Sequence, residues 1–406
     1  KDGEAFDGII EEFRTVPPTF KALKPFATHL KAAEKAFATW LKKMPAAPAF
    51  LKDARELAAY IDYSCVAGAE GHLKRPAMFM SKNWMTHVWS WDHCFNAMAL
   101  VYHQPEAAWD QFMVMFDKQD PSGQLPDSYD DCAINWNFCK PPIHGWALDW
   151  MMARSKKIDK KKLKEIYEPL VRWTQWWFQY RDSDKDGICQ YQHGNDSGWD
   201  NATPFDVGFP LDGPDLSAFL VLQMDCLAKV AGILGKAAEA KKWKRDADKL
   251  LQMMLKHFWR GDRFIAVRTG DHAVAEGDSL FNFLPLVLGK RLKPEQAEIL
   301  LKGLTQPGRF LTENGLATES VQSRFYSPDG YWRGPIWAPS TMLLVDAVDR
   351  LGRKDLAKDL ALRYCKMAAK SGMPENYDAV TGAALRDKAY SWTSSVFLVL
   401  AKEYLR

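Results

Sequence analysis

The chain has 406 residues, more than the usual single domain, so either several domains or one core built from many helical hairpins is required. Lys and Arg total 54 against 51 Asp and Glu, which gives no electrostatic ground for a nucleic-acid or anionic-membrane partner and leaves a neutral one as the expectation. No stretch reaches 18 consecutive apolar residues, so no membrane segment is expected, and oligomeric state is not legible.

The compositional outlier is aromatic: 17 Trp, 13 Tyr and 22 Phe, with many of the Trp in short polar loops. Rings that keep a polar edge suit the apolar faces of sugars. Seven cysteines, at 65, 94, 132, 139, 189, 226 and 365, are odd in number and contain no CxxC pair, which points to reduced thiols and a cytoplasmic compartment. The sequence starts at Lys1 with neither Met nor signal peptide, and the expectation is a processed or truncated chain lacking its targeting information.

Apolar periodicity first marks an amphipathic stretch at 19–43, closed by Met44-Pro45-Ala46-Ala47-Pro48. Residues 1–50 are read as a helical linker following a missing N-terminal domain, and 51–406 as the catalytic domain. Twelve helical candidates follow: 52–69, 91–102, 105–118, 142–155, 161–181, 214–234, 237–258, 278–288, 294–303, 335–351, 354–370 and 390–404. Strand patterns are few, such as 263–267. The loops before every second candidate carry aromatic and polar islands: Trp89-Ser90-Trp91-Asp92-His93, Pro141 to Trp146, the loop around Asp200, Glu276 to Ser279, Tyr331 to Pro335, and Glu375 on to Trp392. The alternate connections, such as Gly235-Lys236 and Gly352-Arg353, are plain. An all-α, (α/α)6 toroid puts all six islands at one end of an inner ring, and no strict repeat of solenoid type is present.

Asp182-Ser183-Asp184-Lys185-Asp186-Gly187 matches the start of an EF-hand loop, but the twelfth position is His193 instead of a bidentate Glu. Asp182, Asp184 and Asp186 are therefore a candidate for a structural Ca2+ at most, and no catalytic metal or other cofactor is expected. There is no HExxH, GxSxG or phosphate-binding Gly loop.

Two islands carry the chemistry. Asp196 to Asn201 and Met373 to Asp378 each set a carboxylate among aromatic and amide side chains, and two carboxylates from distant loops are what glycosidic cleavage requires. Ser197-Gly198-Trp199-Asp200-Asn201, Tyr331-Trp332-Arg333-Gly334-Pro335-Ile336-Trp337, Glu375-Asn376-Tyr377-Asp378 with Thr381-Gly382, and Tyr390-Ser391-Trp392-Thr393 resemble, in order, the signature blocks of glycoside hydrolase family 63. The likeness covers 50–406. It implies an inverting mechanism with Asp200 as general acid and Glu375 as general base. Partial desolvation between Trp199 and Asn201 is expected to keep Asp200 protonated, with Glu375 ionised about 6.5–9.5 Å away.

Trp89, Trp91 and Asp92 are expected to form the floor for the terminal sugar, and Trp332, Arg333 and Trp337 a wall. Trp199, Asn201, Tyr377 and Trp392, from the same blocks, complete the sugar site. Gln124, Asp127, His144 and Trp146 are further candidates. The leading function is exo-acting release of a terminal α-linked sugar, glucose above all, from short α-glucosides. Trehalase and glucosylglycerate or mannosylglycerate hydrolase share that chemistry. An inactive glycan-binding domain or a sugar epimerase would be different: the first would lose a carboxylate, the second would pair histidines in its islands.

Overall fold

The structure, a computed structural model, describes residues 8, 10, 13–17 and 24–406. It is an (α/α)6 toroid. The amphipathic stretch predicted over 19–43 is helix α1, Phe26–Lys43; residues 18–23 lie outside the described residues. α1 rests on α2 (Lys52–Ser64): Phe37 packs on Tyr60 and Tyr63, the Trp40 indole donates to the Ala59 carbonyl, and Arg55 gathers the carbonyls of Leu41, Met44 and Pro45.

The inner ring consists of α3 (Asp92–Leu100), α5 (His144–Arg154), α7 (Pro214–Leu234), a 3₁₀ segment (Leu280–Arg291), α10 (Ala338–Arg350) and α12 (Ser391–Tyr404). Each packs on the next, and α12 closes back onto α3. The outer ring is α2, α4 (Pro105–Met113), α6 (Lys160–Tyr180), α8 (Ala237–Phe258), α9 (Pro294–Thr305) and α11 (Lys354–Ser371). Sequence explains the division. α6 and α8 carry one apolar stripe and a charged outer face, whereas every residue of α3 and Ser391 through Ala401 of α12 is buried. α7 is long and apolar enough to cross a membrane, and its burial at the centre of the ring accounts for that composition.

The helix predicted over 278–288 is instead two short 3₁₀ pieces across a kink. Pro285 removes an N–H from the ladder, and Gly289 takes φ 53, ψ −123, outside any helix. The helix predicted over 105–118 ends at Met113 and continues as a 3₁₀ turn, Phe116–Lys118.

Two-residue strands rim the toroid where the chain enters inner helices. Val88–Trp89, Ser128–Tyr129 and Ile134–Asn135 form one antiparallel sheet; Gln190–Tyr191, Leu211–Asp212 and Val267–Arg268 form another; Asn376–Tyr377 pairs with Ala384–Leu385. Trp91, Trp337 and Tyr390 stand at the N-terminal caps of α3, α10 and α12, so the islands converge.

Candidate active site

A small cavity opens where these caps meet. Trp89, Trp91, Trp332 and Trp392 wall it, with Tyr331 and Tyr390 beside them, and Asp92, Asp200 and Lys140 supply the charge. The wall is rigid because a second layer backs it. Trp337, fully buried, stacks on Trp332 at 4.0 Å and 7°, Trp199 packs on the same ring at 4.7 Å, and Trp91 meets Trp392 edge-on at 5.9 Å.

Two glycines shape the Asp200 loop. Gly198 lies at φ 70, and a Cβ there would come within 2.6 Å of the Trp91 ring. A Cβ on Gly194 would sit 1.8 Å from the Asp200 carbonyl oxygen. Buried Asp196 fixes the base of the loop by accepting from the backbone N–H groups of Cys139, Gln192 and His193. Asn201 latches the loop to its neighbour: its Oδ1 accepts from the Trp332 N–H at 3.0 Å and its Nδ2 donates to the Gly330 carbonyl at 3.1 Å. Arg333 adds a donation to the Asn201 carbonyl at 2.7 Å and a bidentate pairing with Asp206.

Lys140 is buried with three carboxylates in reach. Burial works to lower its pKa, yet Asp127 (3.1 Å), Asp200 and Asp92 together overcome this and raise it, so the ammonium is held charged. Burial pushes the Asp92 carboxyl well up, and its Oδ2 has no hydrogen-bond partner within the protein. Such an oxygen at a cavity wall suits a sugar hydroxyl, since a buried acceptor left unpaired is costly. Glu375 is 6% exposed and its pKa is raised by burial, against which the Tyr331 hydroxyl donates to Oε1 at 3.0 Å. Tyr331 lines the cavity beside Asp200, and its phenol is pushed up by burial first and then by Glu375 and Asp200. One side chain thus feels both carboxylates. Asp200 is half-buried, and Glu375 is the more deeply buried of the two.

Of the predicted site residues, Trp89, Trp91, Asp92, Asp200, Trp332 and Trp392 line the cavity, and Glu375 stands behind Tyr331. The others lie elsewhere. Trp199 and Trp337 form the second layer, Asn201 and Arg333 are the latch, and Tyr377, fully buried, donates to the Gly372 carbonyl. Trp146 donates to Asp346 and lines a separate hollow with Asp149, Asp225, Arg291 and Arg350. His144 is buried among His93, Phe116 and Trp173, where desolvation lowers its pKa well below that of a free imidazole. Gln124 is absorbed in a turn, its carbonyl accepting from the Asp120 N–H. Sequence reasoning missed Lys140, Tyr331 and Tyr390. Both tyrosines stand first in quoted motif blocks, and Lys140 directly precedes the Pro141-Pro142 island.

Asp182, Asp184 and Asp186 bring one oxygen each within 4.8 Å of the others. Much of that loop's oxygen inventory is already committed: Asp182 accepts from the Gly187 N–H, Asp186 from the Ile188 N–H, and Asp184 from Gln190.

A ring of twelve helical segments with carboxylates among tryptophans at one end defines a six-hairpin glycosidase. Residues 85–393 match the mannosylglycerate hydrolase MGH1-like glycoside hydrolase domain, and the chain belongs to that family. It is similar to the mannosylglycerate hydrolase of Rubrobacter radiotolerans (22% identical, covering 78% of this chain and 91% of that one) and to the glucosylglycerate hydrolase of Mycolicibacterium hassiacum (24%, covering 77% and 91%). The fold also matches the family 63 mannosylglycerate hydrolase of Thermus thermophilus, solved with Tris and D-glycerate, at a TM-score of 0.74 and 17% identity over 85% of this chain and 99% of that chain.

Proposed function

We propose that the protein hydrolyses small α-linked hexosyl glycosides of the glycerate type by inversion, removing one terminal hexose per event. The observation that carries this reading is the cavity itself. It is small and walled by Trp89, Trp91, Trp332 and Trp392 with Asp92 and Asp200 between them, a lining that suits one terminal sugar ring better than a polymer running through. The names of the two relatives supply the glycerate aglycone. Glucose as the released hexose follows the leading sequence expectation, with mannose as its rival.

In this mechanism Asp200 gives its proton to the glycosidic oxygen as the bond to the anomeric carbon breaks. Glu375 takes a proton from a water attacking the opposite face, so the products are the free sugar with inverted configuration and the protonated aglycone oxygen. Tyr331 aims the base. Asp92, with its partnerless oxygen, holds sugar hydroxyls. Short neutral α-glucosides are a second reading, favoured because Lys140, the one cation lining the cavity among the described residues, is already paired with Asp127.

Initial rates on glucosylglycerate, mannosylglycerate, α-linked glucose disaccharides and trehalose decide between these readings. The expected result is a clear preference for one glycerate glycoside, with the β-anomer appearing first in proton NMR. Equal or better turnover of a neutral disaccharide selects the second reading, and initial α-anomer ends the inverting mechanism.

A further inference from the structure

We infer that Asp212, His257 and His272 form a binding site for a first-row divalent metal ion of the zinc type, which staples the root of the segment carrying Asp200. The three residues come from separate parts of the fold. Asp212 ends the strand that leads into α7, His257 lies in the last turn of α8, and His272 sits on the turn after Val267–Arg268. One ligand atom from each lies within 4.8 Å of the others. His257 Nε2 and Asp212 Oδ2 are 2.9 Å apart. A tetrahedral zinc with bonds of about 2.0–2.2 Å needs its ligand atoms roughly 3.3–3.5 Å apart, so this pair opens by a few tenths of an ångström and the exposed His272 ring swings in by about 1.4 Å at most.

The surroundings match what ligands of such an ion need. The Oδ1 of Asp212 accepts from the Thr269 hydroxyl, and Oδ2, hydrogen-bonded to His257 Nε2 at 2.9 Å in the absence of an ion, is the ligand atom. On the far side of the His257 ring, Nδ1 lies 3.9 Å from Asp186 Oδ2, near enough for that carboxylate to take up an Nδ1–H once the ion displaces the proton from Nε2. Asp212 is 1% exposed, and of the two partners that satisfy it, His257 and Thr269, the ion replaces the hydrogen bond to the first with a shared ligand bond. His272 adopts φ 57, in the left-handed region, and so sets its ring 5.0 Å from that of His257. Two imidazoles and one carboxylate select zinc or a similar ion over calcium, which prefers an all-oxygen shell.

The fourth position faces a hollow lined by Asp186, His257 and His272 together with Lys256 and Arg260. None of these residues lines the candidate active-site cavity. The ion is therefore structural: it ties the end of the 192–212 segment to α8 and to the neighbouring turn.

The test uses tag-free full-length protein, stripped of metal and titrated with Zn2+ by calorimetry and with Co2+ by visible absorption. One saturable equivalent is expected, with four-coordinate Co2+ bands and a rise in Tm on adding Zn2+. His272→Ala lies on an exposed turn and keeps the fold; it should weaken Zn2+ at least about 10-fold, the smallest loss typical even of an outer-sphere change, and remove the Tm rise. Asp184→Asn and Cys132→Ser, which alter the other two accessible candidate clusters, should bind as wild type does. Absence of saturable Zn2+ binding overturns the site. So does His272→Ala binding undiminished, or loss of binding in Asp184→Asn or Cys132→Ser.

Discussion

The two carboxylate loops solve opposite problems with different materials. The Asp200 loop is open: its carboxylate is half-buried, and its shape depends on two glycines and on bonds to a neighbouring loop. The Glu375 loop is closed: its carboxylate is 6% exposed, its backbone N–H donates to the Asp387 carbonyl, and the adjoining Asn376–Tyr377 strand pairs with Ala384–Leu385. Under the proposed mechanism, an acid that must reach a leaving oxygen belongs on an accessible, shaped loop. Under the proposed roles, a base that must hold one water belongs on a stiff, dry one, where the Tyr331 phenol opposes the effect of burial on its charge.

The strongest way to break this comparison is to remove the carboxylates one at a time. Asp200→Asn and Glu375→Gln should each lower kcat by about 100-fold to 10,000-fold at unchanged circular dichroism. The two losses should differ in kind. An aryl glycoside whose leaving group needs no proton should restore much of the rate to Asp200→Asn and none to Glu375→Gln. The reverse pattern in steady-state rates exchanges the two roles.

A smaller loss is expected where the Asp200 loop is tightest. In Gly194→Ala the new Cβ meets the Asp200 carbonyl at 1.8 Å, so the backbone carrying Asp200 must shift. A displacement near 1 Å at a catalytic group costs about 100-fold. kcat should fall by that order, with Tm lowered far less than the rate implies. Unchanged kcat in stopped or continuous assays would show that the Asp200 loop is not preorganised.

Much of this was legible in the sequence, and for definable reasons. The inner helices were separable by the islands that precede every second candidate, and the structure buries α3 on all sides while α6 shows the core a single apolar stripe. Island loops marked the entry to each inner helix because aromatic rings with polar edges are wasteful elsewhere. Depth was not legible. Trp332 and Trp337 stand in one motif, yet the first lines the cavity and the second backs it, a distinction set by a stacking geometry that motif spacing does not encode. Arg333 read as a sugar ligand because its partner, Asp206, lies 127 residues away in sequence. Lys140 escaped notice because its charge matters only beside Asp92, Asp127 and Asp200, which three different loops deliver.

Tyr331→Phe sharpens the comparison from the Glu375 side. Burial raises the Glu375 pKa, and the Tyr331 O–H opposes that by stabilising the ionised form. If Glu375 is the base, as proposed, it works ionised, so activity is lost as pH falls through its pKa, and the acid limb of kcat/KM should lie above the ordinary glutamate range. Removing the phenol takes away a hydrogen bond to a charged acceptor, worth about 1.5–3 kcal/mol, and so raises the pKa further. The acid limb should move up by about one to two pH units, with a loss of about 10-fold or more on the acid side of the limb and little above it. A limb that stays in place in the pH–rate profile removes Tyr331 from control of the base.

The smallest effect is expected at the latch between the Asp200 loop and its neighbour. Arg333 and Asp206 have side chains 27% and 39% exposed, so solvent screens their attraction, and an exposed pair of this kind contributes about 0.2–1 kcal/mol to stability. Arg333→Ala should therefore move Tm only slightly. The Arg333 Nε bond to the Asn201 carbonyl, however, lies one residue from Asp200, and losing it lets the loop sample conformations in which the carboxylate misses the glycosidic oxygen. A loss of a few-fold in kcat is expected, on the scale of the same fraction of a kcal/mol spent on positioning. Asp206→Asn should cost less still, because Arg333 keeps its bond to the Asn201 carbonyl. A large fall in Tm for either variant, or a greater effect in Asp206→Asn than in Arg333→Ala, would mean that the ion pair and not the carbonyl contact holds the loop.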